Sequence, residues 1–121
     1  MTRKEIQEVT EKVYNKVIEH YGESKYHKQL PYVSIEDTPY SDAVVPKNLY
    51  GEYCHMINEV TLYWKNIPSL ELLIRTLVHE YQHYLQSPQW MVRYYKMGYS
   101  YNTHPYEIAA FAEEENWKTF V

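Results

Sequence analysis

The run His79-Glu80-Tyr81-Gln82-His83 sets two imidazoles four residues apart, with a carboxylate directly after the first. On a helix that spacing is about one turn, so both rings lie on one face and can share a single ion. Zinc suits such a pair. It takes neutral imidazole nitrogens at about 2.0–2.1 Å, and a rigid helix presents two of them without a loop to order. Two histidines leave a zinc site short of its third protein ligand. Glu107 is the best-placed candidate, because it opens a predicted last helix in which Ala109 and Ala110 allow close packing; Glu113 and Glu114 come next. A fourth coordination position then stays open for water or substrate.

Zinc in such a site lowers the pKa of bound water to about 7 and polarises a carbonyl, which leaves Glu80 as the general base. The developing oxyanion needs a further donor. His104, Tyr101, Tyr95 and Tyr106 all lie near Glu107 in sequence, and spacing does not choose among them. His104 and Tyr101 are carried forward beside Glu80 as catalytic candidates. Each of these residues also has an unremarkable reading. The motif can arise by chance on a solvent-facing helix, and Glu107 can be an ordinary first-turn carboxylate favoured by the helix dipole. Two independent requirements weigh against chance: an apolar stripe on the motif helix, and a second helix with a glutamate at workable distance.

The motif needs a helix, and Leu70 through Gln86 supplies the strongest helical pattern in the chain. Ser69 is its candidate N-cap and Ser87-Pro88 closes it, since the residue before proline disfavours helix. At about 100° per residue, Leu70, Leu73, Ile74, Leu77, Tyr81, Tyr84 and Leu85 gather on one side, with His79 and His83 nearly opposite. This places the histidines away from the core, on a helix that floors a cleft. A second helix is predicted from Thr2 to Tyr21, opened by a capping box of Thr2 and Glu5 and ended at Gly22. Short runs at Tyr32–Ile35, Leu49–Met56 and Glu59–Trp64 read as strands, the last two as a hairpin about Ile57 and Asn58. A shorter helix is expected over Trp90–Met97, and the last from about Thr103-His104-Pro105 to about Lys118.

With 121 residues the chain has room for one ordinary domain, spanning 1–121. Twelve Lys and Arg against 16 Asp and Glu, with no basic face, argue against nucleic-acid binding. Cys54 is the only cysteine and the first residues lack the apolar run of a signal peptide, so a cytoplasmic protein is expected. No stretch approaches the roughly 18 apolar residues of a membrane span. A soluble monomer is expected. Fifteen tyrosines suit a core and a groove whose rings keep a wet edge. His20, His27 and His55 fall outside any ligand spacing and are assigned no function, and Glu113-Glu114-Glu115 reads as a solvated helix face.

The His-Glu-x-x-His run together with Glu107 resembles the gluzincin branch of the zincin metallopeptidases. There the motif helix is completed by a glutamate on a following helix. The run from Tyr106 to Glu114 is also similar to the glutamate helix of ImmA/IrrE-type peptidases. The resemblance covers roughly residues 59 to 114. It implies an α+β, zincin-like fold: a small twisted sheet packed with an N-terminal helix, an active-site helix and a C-terminal glutamate helix. It further implies an edge strand, Glu59–Trp64, bordering the cleft and able to pair with an extended peptide. The activity implied is that of a zinc metalloendopeptidase acting on peptides or proteins. One position departs from the pattern. Thermolysin-like members carry a carboxylate four residues after the ligand glutamate to orient a histidine, and here that residue is Phe111. Glu114 can substitute, as can a backbone carbonyl or water. The alternative is a catalytically silent zincin-fold module that binds zinc and a protein partner; an intact Glu80 favours the active form.

Overall fold

The computed structural model describes residues 2–38 and 49–121. Among these the chain is α+β, with four α-helices and one three-stranded mixed sheet. Helix α1 (Arg3–Tyr21) begins where Thr2 Oγ1 accepts a hydrogen bond from the Glu5 N–H at 3.2 Å. It ends at Gly22, whose φ of 78° suits a residue without a Cβ, and whose N–H closes on Ile18 O. Strands β1 (Tyr32–Glu36), β2 (Gly51–Cys54) and β3 (Glu59–Tyr63) follow, the last running into a short 3-10 turn at Trp64–Asn66.

The strand order is β1-β3-β2, with β1 parallel to β3 and β2 antiparallel to it. This corrects one expectation. The strand expected at the cleft edge, Glu59 onward, is the central one, because β1 pairs along its second side in the register Val33↔Val60 and Ile35↔Leu62. Its fully buried Val60 and Leu62 suit that central place. The edge on the cleft belongs instead to β2, which among the described residues has no strand on its other side. The β2–β3 hairpin forms as expected, and its turn uses Asn58 at a φ of 50° in place of an Asn-Gly pair. Asn58 is held by both ends of its amide: Oδ1 accepts from Tyr53 OH and Nδ2 donates to Gln29 O, each at 2.8 Å.

Helix α2 (Leu70–Leu85) is the centre of the molecule. Ser69 caps it through the Leu72 N–H, and it packs against α1, the sheet, the last helix and the C-terminal segment. Its apolar side, with Leu73, Ile74, Leu77, Val78, Tyr81 and Tyr84, meets Val13 and Val17 of α1 and the inner sheet face in one core. Gly51 lets β2 come close to this helix. A Cβ there would meet Thr61 O and Thr76 Cγ2 at 2.8 Å each, so any side chain pushes the edge strand off α2.

Pro88 both ends α2 and starts α3 (Pro88–Lys96), two residues earlier than the sequence suggested, with Ser87 as its cap. Helix α4 (Pro105–Glu113) is shorter than expected and passes at Glu114 into a 3-10 segment, Glu114–Phe120. That segment brings Phe120 into the core. No helix among the described residues is long and apolar enough to cross a membrane.

Candidate metal centre

Helix α2 carries His79, Glu80 and His83 to its contact with α4, where Glu107 sits in the first turn. Glu107 Oε1 lies 3.0 Å from His79 Nε2 and 2.8 Å from His83 Nε2. One carboxylate oxygen therefore stands between two imidazole nitrogens that all face the same point. The potential ligand atoms of His79, Glu80 and His83 also lie within 4.8 Å of one another, a group able to hold a metal ion. His79 and His83 stand outside the apolar core and line the cleft, as the helical wheel places them, and His79 is only 5% exposed because α4 and the segment after it cover that side of α2.

The outward ring nitrogens are fixed as well. His79 Nδ1 meets Glu114 Oε2 at 2.8 Å, and His83 Nδ1 meets Gln86 Oε1 at 2.7 Å. A carboxylate can only accept, so Nδ1 of His79 carries the proton. The Gln86 amide is oriented by its Nε2, which donates to Tyr106 O at 3.0 Å, and its oxygen then takes the Nδ1–H of His83. Both Nδ1 protons are thereby held outward, so an ion that displaces the Nε2 protons shared with Glu107 meets each ring with that nitrogen's lone pair. Phe111 occupies the position where a carboxylate was looked for and packs its ring edge-on against His79, centroids 4.6 Å apart. Glu114 takes over the orienting task, one of the alternatives open in the sequence. Gln86 was missed, although its place three residues after His83 on one helix face was a usable signal.

Without an ion the site holds protons instead. Burial lowers the His79 pKa, but hydrogen bonds to Glu107 and Glu114 outweigh it and raise the group to about 10. Burial raises the Glu107 pKa, but the hydrogen bonds from His79 and His83 prevail and bring it down to about 2. His83 is raised too, with burial opposed by Glu107 and Glu80. Near neutral pH His79 is thus protonated and Glu107 is already ionised, while His83 is shifted toward its protonated form. A metal cation entering this site must displace the imidazole protons, while Glu107 has none to lose. Metal uptake is therefore expected to release protons at about pH 7, and apparent affinity to rise between about pH 6 and about pH 8. Calorimetry in buffers of different ionisation enthalpy checks this; a pH-independent affinity with no proton release contradicts it.

Glu80 is 9% exposed, and among the described residues no side chain hydrogen-bonds to it. Burial raises its pKa, with the two histidines opposing. It lines a cleft of about 290 Å³ together with His79, His83, Glu107, Tyr101 and the β2 edge. Tyr101 also borders the adjoining hollow beside Phe111. Its phenol is pushed up to about 12, by burial first and then by Glu107 and Glu80, so it stays protonated and able to donate.

His104, the other proposed oxyanion donor, is elsewhere. It is fully buried as the N-cap of α4, accepting from the Tyr106 N–H at Nδ1 and bonding Met91 O through Nε2, each at 3.0 Å. Both nitrogens are spent on backbone, so its task is to tie α3 to the start of the helix that carries Glu107. Tyr95 packs on His104, and Tyr106 on Tyr94 and His104; neither lines the cleft. His20 packs on Tyr21 and Phe120, and His27 stacks on Tyr84, in line with the structural roles expected of them. His55 stands at the cleft rim, which its sequence position did not signal. Cys54 is a free thiol.

No protein-family model, curated protein or solved structure matches this chain. The chemistry of the site rests on its geometry.

Proposed function

We propose that this chain is a zinc-dependent endopeptidase of zincin-like, gluzincin-type architecture, acting on peptides or proteins. One observation carries the reading: two Nε2 atoms and the Glu107 carboxylate converge on one point, with the unengaged Glu80 carboxylate beside it in an open cleft. Two imidazoles, a carboxylate and an open position make a donor set suited to catalytic zinc. The tautomers held by Glu114 and Gln86 fit the same ion. His79, His83 and Glu107 would hold the zinc ion, which would supply an acidified water and a Lewis acid for the scissile carbonyl.

The chain's own groups do the rest. Glu80 takes the proton of the attacking water and passes it to the leaving amine. Its buried setting strengthens it as a base, although a nearby divalent cation works in the opposite direction. The edge of β2, which has no strand beside it among the described residues, gives an extended peptide backbone hydrogen-bonding groups along the cleft. Tyr101 is the donor available to the developing oxyanion, since it lines the cleft with Glu80 and keeps its proton.

Fluorogenic peptide pools, incubated with zinc-loaded protein with and without a chelator, test the activity. Tyr101→Phe is expected to lower kcat/KM by about 10²-fold or more with metal content unchanged. Equal kcat/KM in the two proteins removes Tyr101 from the mechanism.

A further inference from the structure

Away from the metal centre, helix α1 and strand β1 flank a second groove of about 600 Å³. It shares no lining residue with the cleft, and the sheet order puts β1 at the edge opposite β2. Two bonds tie the helix to this part of the chain. Arg3 donates to Ile35 O at 2.7 Å, and Tyr14 OH donates to Pro31 O at 2.5 Å. Between those ties Gln7, Thr10 and Glu11 of α1 line the groove. Thr10 is 3% exposed, and its Oγ1 has no hydrogen-bond partner among the described residues, an arrangement that costs stability unless a bound group completes it. The strand has unpaired groups as well. Tyr32 N–H bonds Asn58 O, so in the parallel register Tyr32, Ser34 and Glu36 spend their backbone groups on β3, while Val33 and Ile35 turn theirs outward, in keeping with the Arg3 bond to Ile35 O. Among the described residues the N–H and C=O of Val33 and the N–H of Ile35 are left without a partner.

We infer that this groove binds an extended peptide segment of a protein partner, added to the β1 edge through Val33 and Ile35, with a Lys or Arg of that segment set against Glu11. A donor and an acceptor on Val33, followed two residues on by the Ile35 donor, are the backbone pattern that a neighbouring strand satisfies. Arg3 and Tyr14 close the two ends of the stretch, so the pairing centres on Val33. Charge selects the side chain. The charged residues lining the groove are Arg3, Glu11 and Glu36; Arg3 is turned to Ile35 O, and neither Glu11 nor Glu36 has an ion-pair partner among the described residues. A cation on the segment therefore gains attraction there, and an anion meets like charge. Binding at this edge does not depend on the metal centre or on the proposed hydrolysis.

The test uses the 15N-labelled full chain with a chelator present, so that no cleavage intervenes. It is titrated with pools of capped hexapeptides that alternate Thr and Val and carry Lys, or in a second pool Glu, at one varied position. The Val33 and Ile35 amide signals are expected to move with the Lys pool, and their exchange with deuterated water to slow by about 10-fold or more. The Lys pool is expected to bind roughly 5- to 10-fold more tightly than the Glu pool, and Glu11→Lys to reverse that order. A reversed preference is a result that general damage to the fold does not produce. N-methylation of alternate peptide residues, which removes their backbone donors, is expected to abolish binding. Val33 and Ile35 amides that are already protected in the free protein overturn the inference, because the edge is then occupied without a partner. Signals that neither pool moves, or a Lys preference that survives Glu11→Lys, overturn it as well. Binding undiminished by N-methylation overturns the strand pairing on which it stands.

Discussion

Glu80→Gln is expected to retain its metal and to hydrolyse peptides about 10⁴-fold more slowly than the wild type. The substitution keeps the shape of the side chain and removes its charge and its ability to take a proton. It breaks no hydrogen bond, because among the described residues no side chain bonds to Glu80, and it replaces a buried carboxylate by a neutral group of the same size. The substitution also removes a negative charge that favours the protonated histidines, so kcat/KM is compared at equal zinc content and the fold is checked by thermal melting. Parallel measurement of zinc content and kcat/KM checks both halves. Undiminished hydrolysis by Glu80→Gln removes Glu80 as the base. A wild type that binds zinc yet is as inert as the variant against a broad peptide library points to the catalytically silent module instead.

Glu107→Ala carries the second large effect. Glu107 Oε1 lies within 3.0 Å of both inner ring nitrogens, so its removal opens the site on the side of α4 and leaves two histidines to hold the ion. Glu114 touches only the outer nitrogen of His79. Glu114→Ala should accordingly cost the roughly 10- to 100-fold in zinc affinity typical of an outer hydrogen-bond partner, and Glu107→Ala should cost more than that. Competition with a chromophoric chelator measures both. A larger loss in Glu114→Ala than in Glu107→Ala would reassign the third ligand.

The motif helix was legible in the sequence because three signals agreed there: the Ser69 cap, the apolar spacing from Leu70 to Leu85, and the proline after Ser87. The position of Glu107 was legible for a related reason, since Pro105 marks a helix start and Glu107 falls in its first turn. What failed to show was tertiary. Strand identity came from local composition, but which strand is central depends on β1 returning parallel to β3, a pairing with no local signature. The burial of His79 depends on α4 crossing the far side of α2, which a wheel drawn for one helix does not contain. His104 and Tyr101 looked equivalent because both lie just before Glu107. The fold separates them, as His104 is drawn into the cap of α4 by the Tyr106 N–H and Met91 O while Tyr101 remains on the cleft.

Zinc per chain, measured by elemental analysis of purified wild-type protein and of the His79→Ala/His83→Ala double variant, tests the central claim most directly. One equivalent in the wild type and none in the double variant is expected, with an absorption-edge spectrum showing nitrogen and oxygen neighbours at about 2.0–2.1 Å. A wild type that takes up no zinc when it is supplied, or a double variant that holds as much as the wild type, contradicts a metal centre at His79, His83 and Glu107.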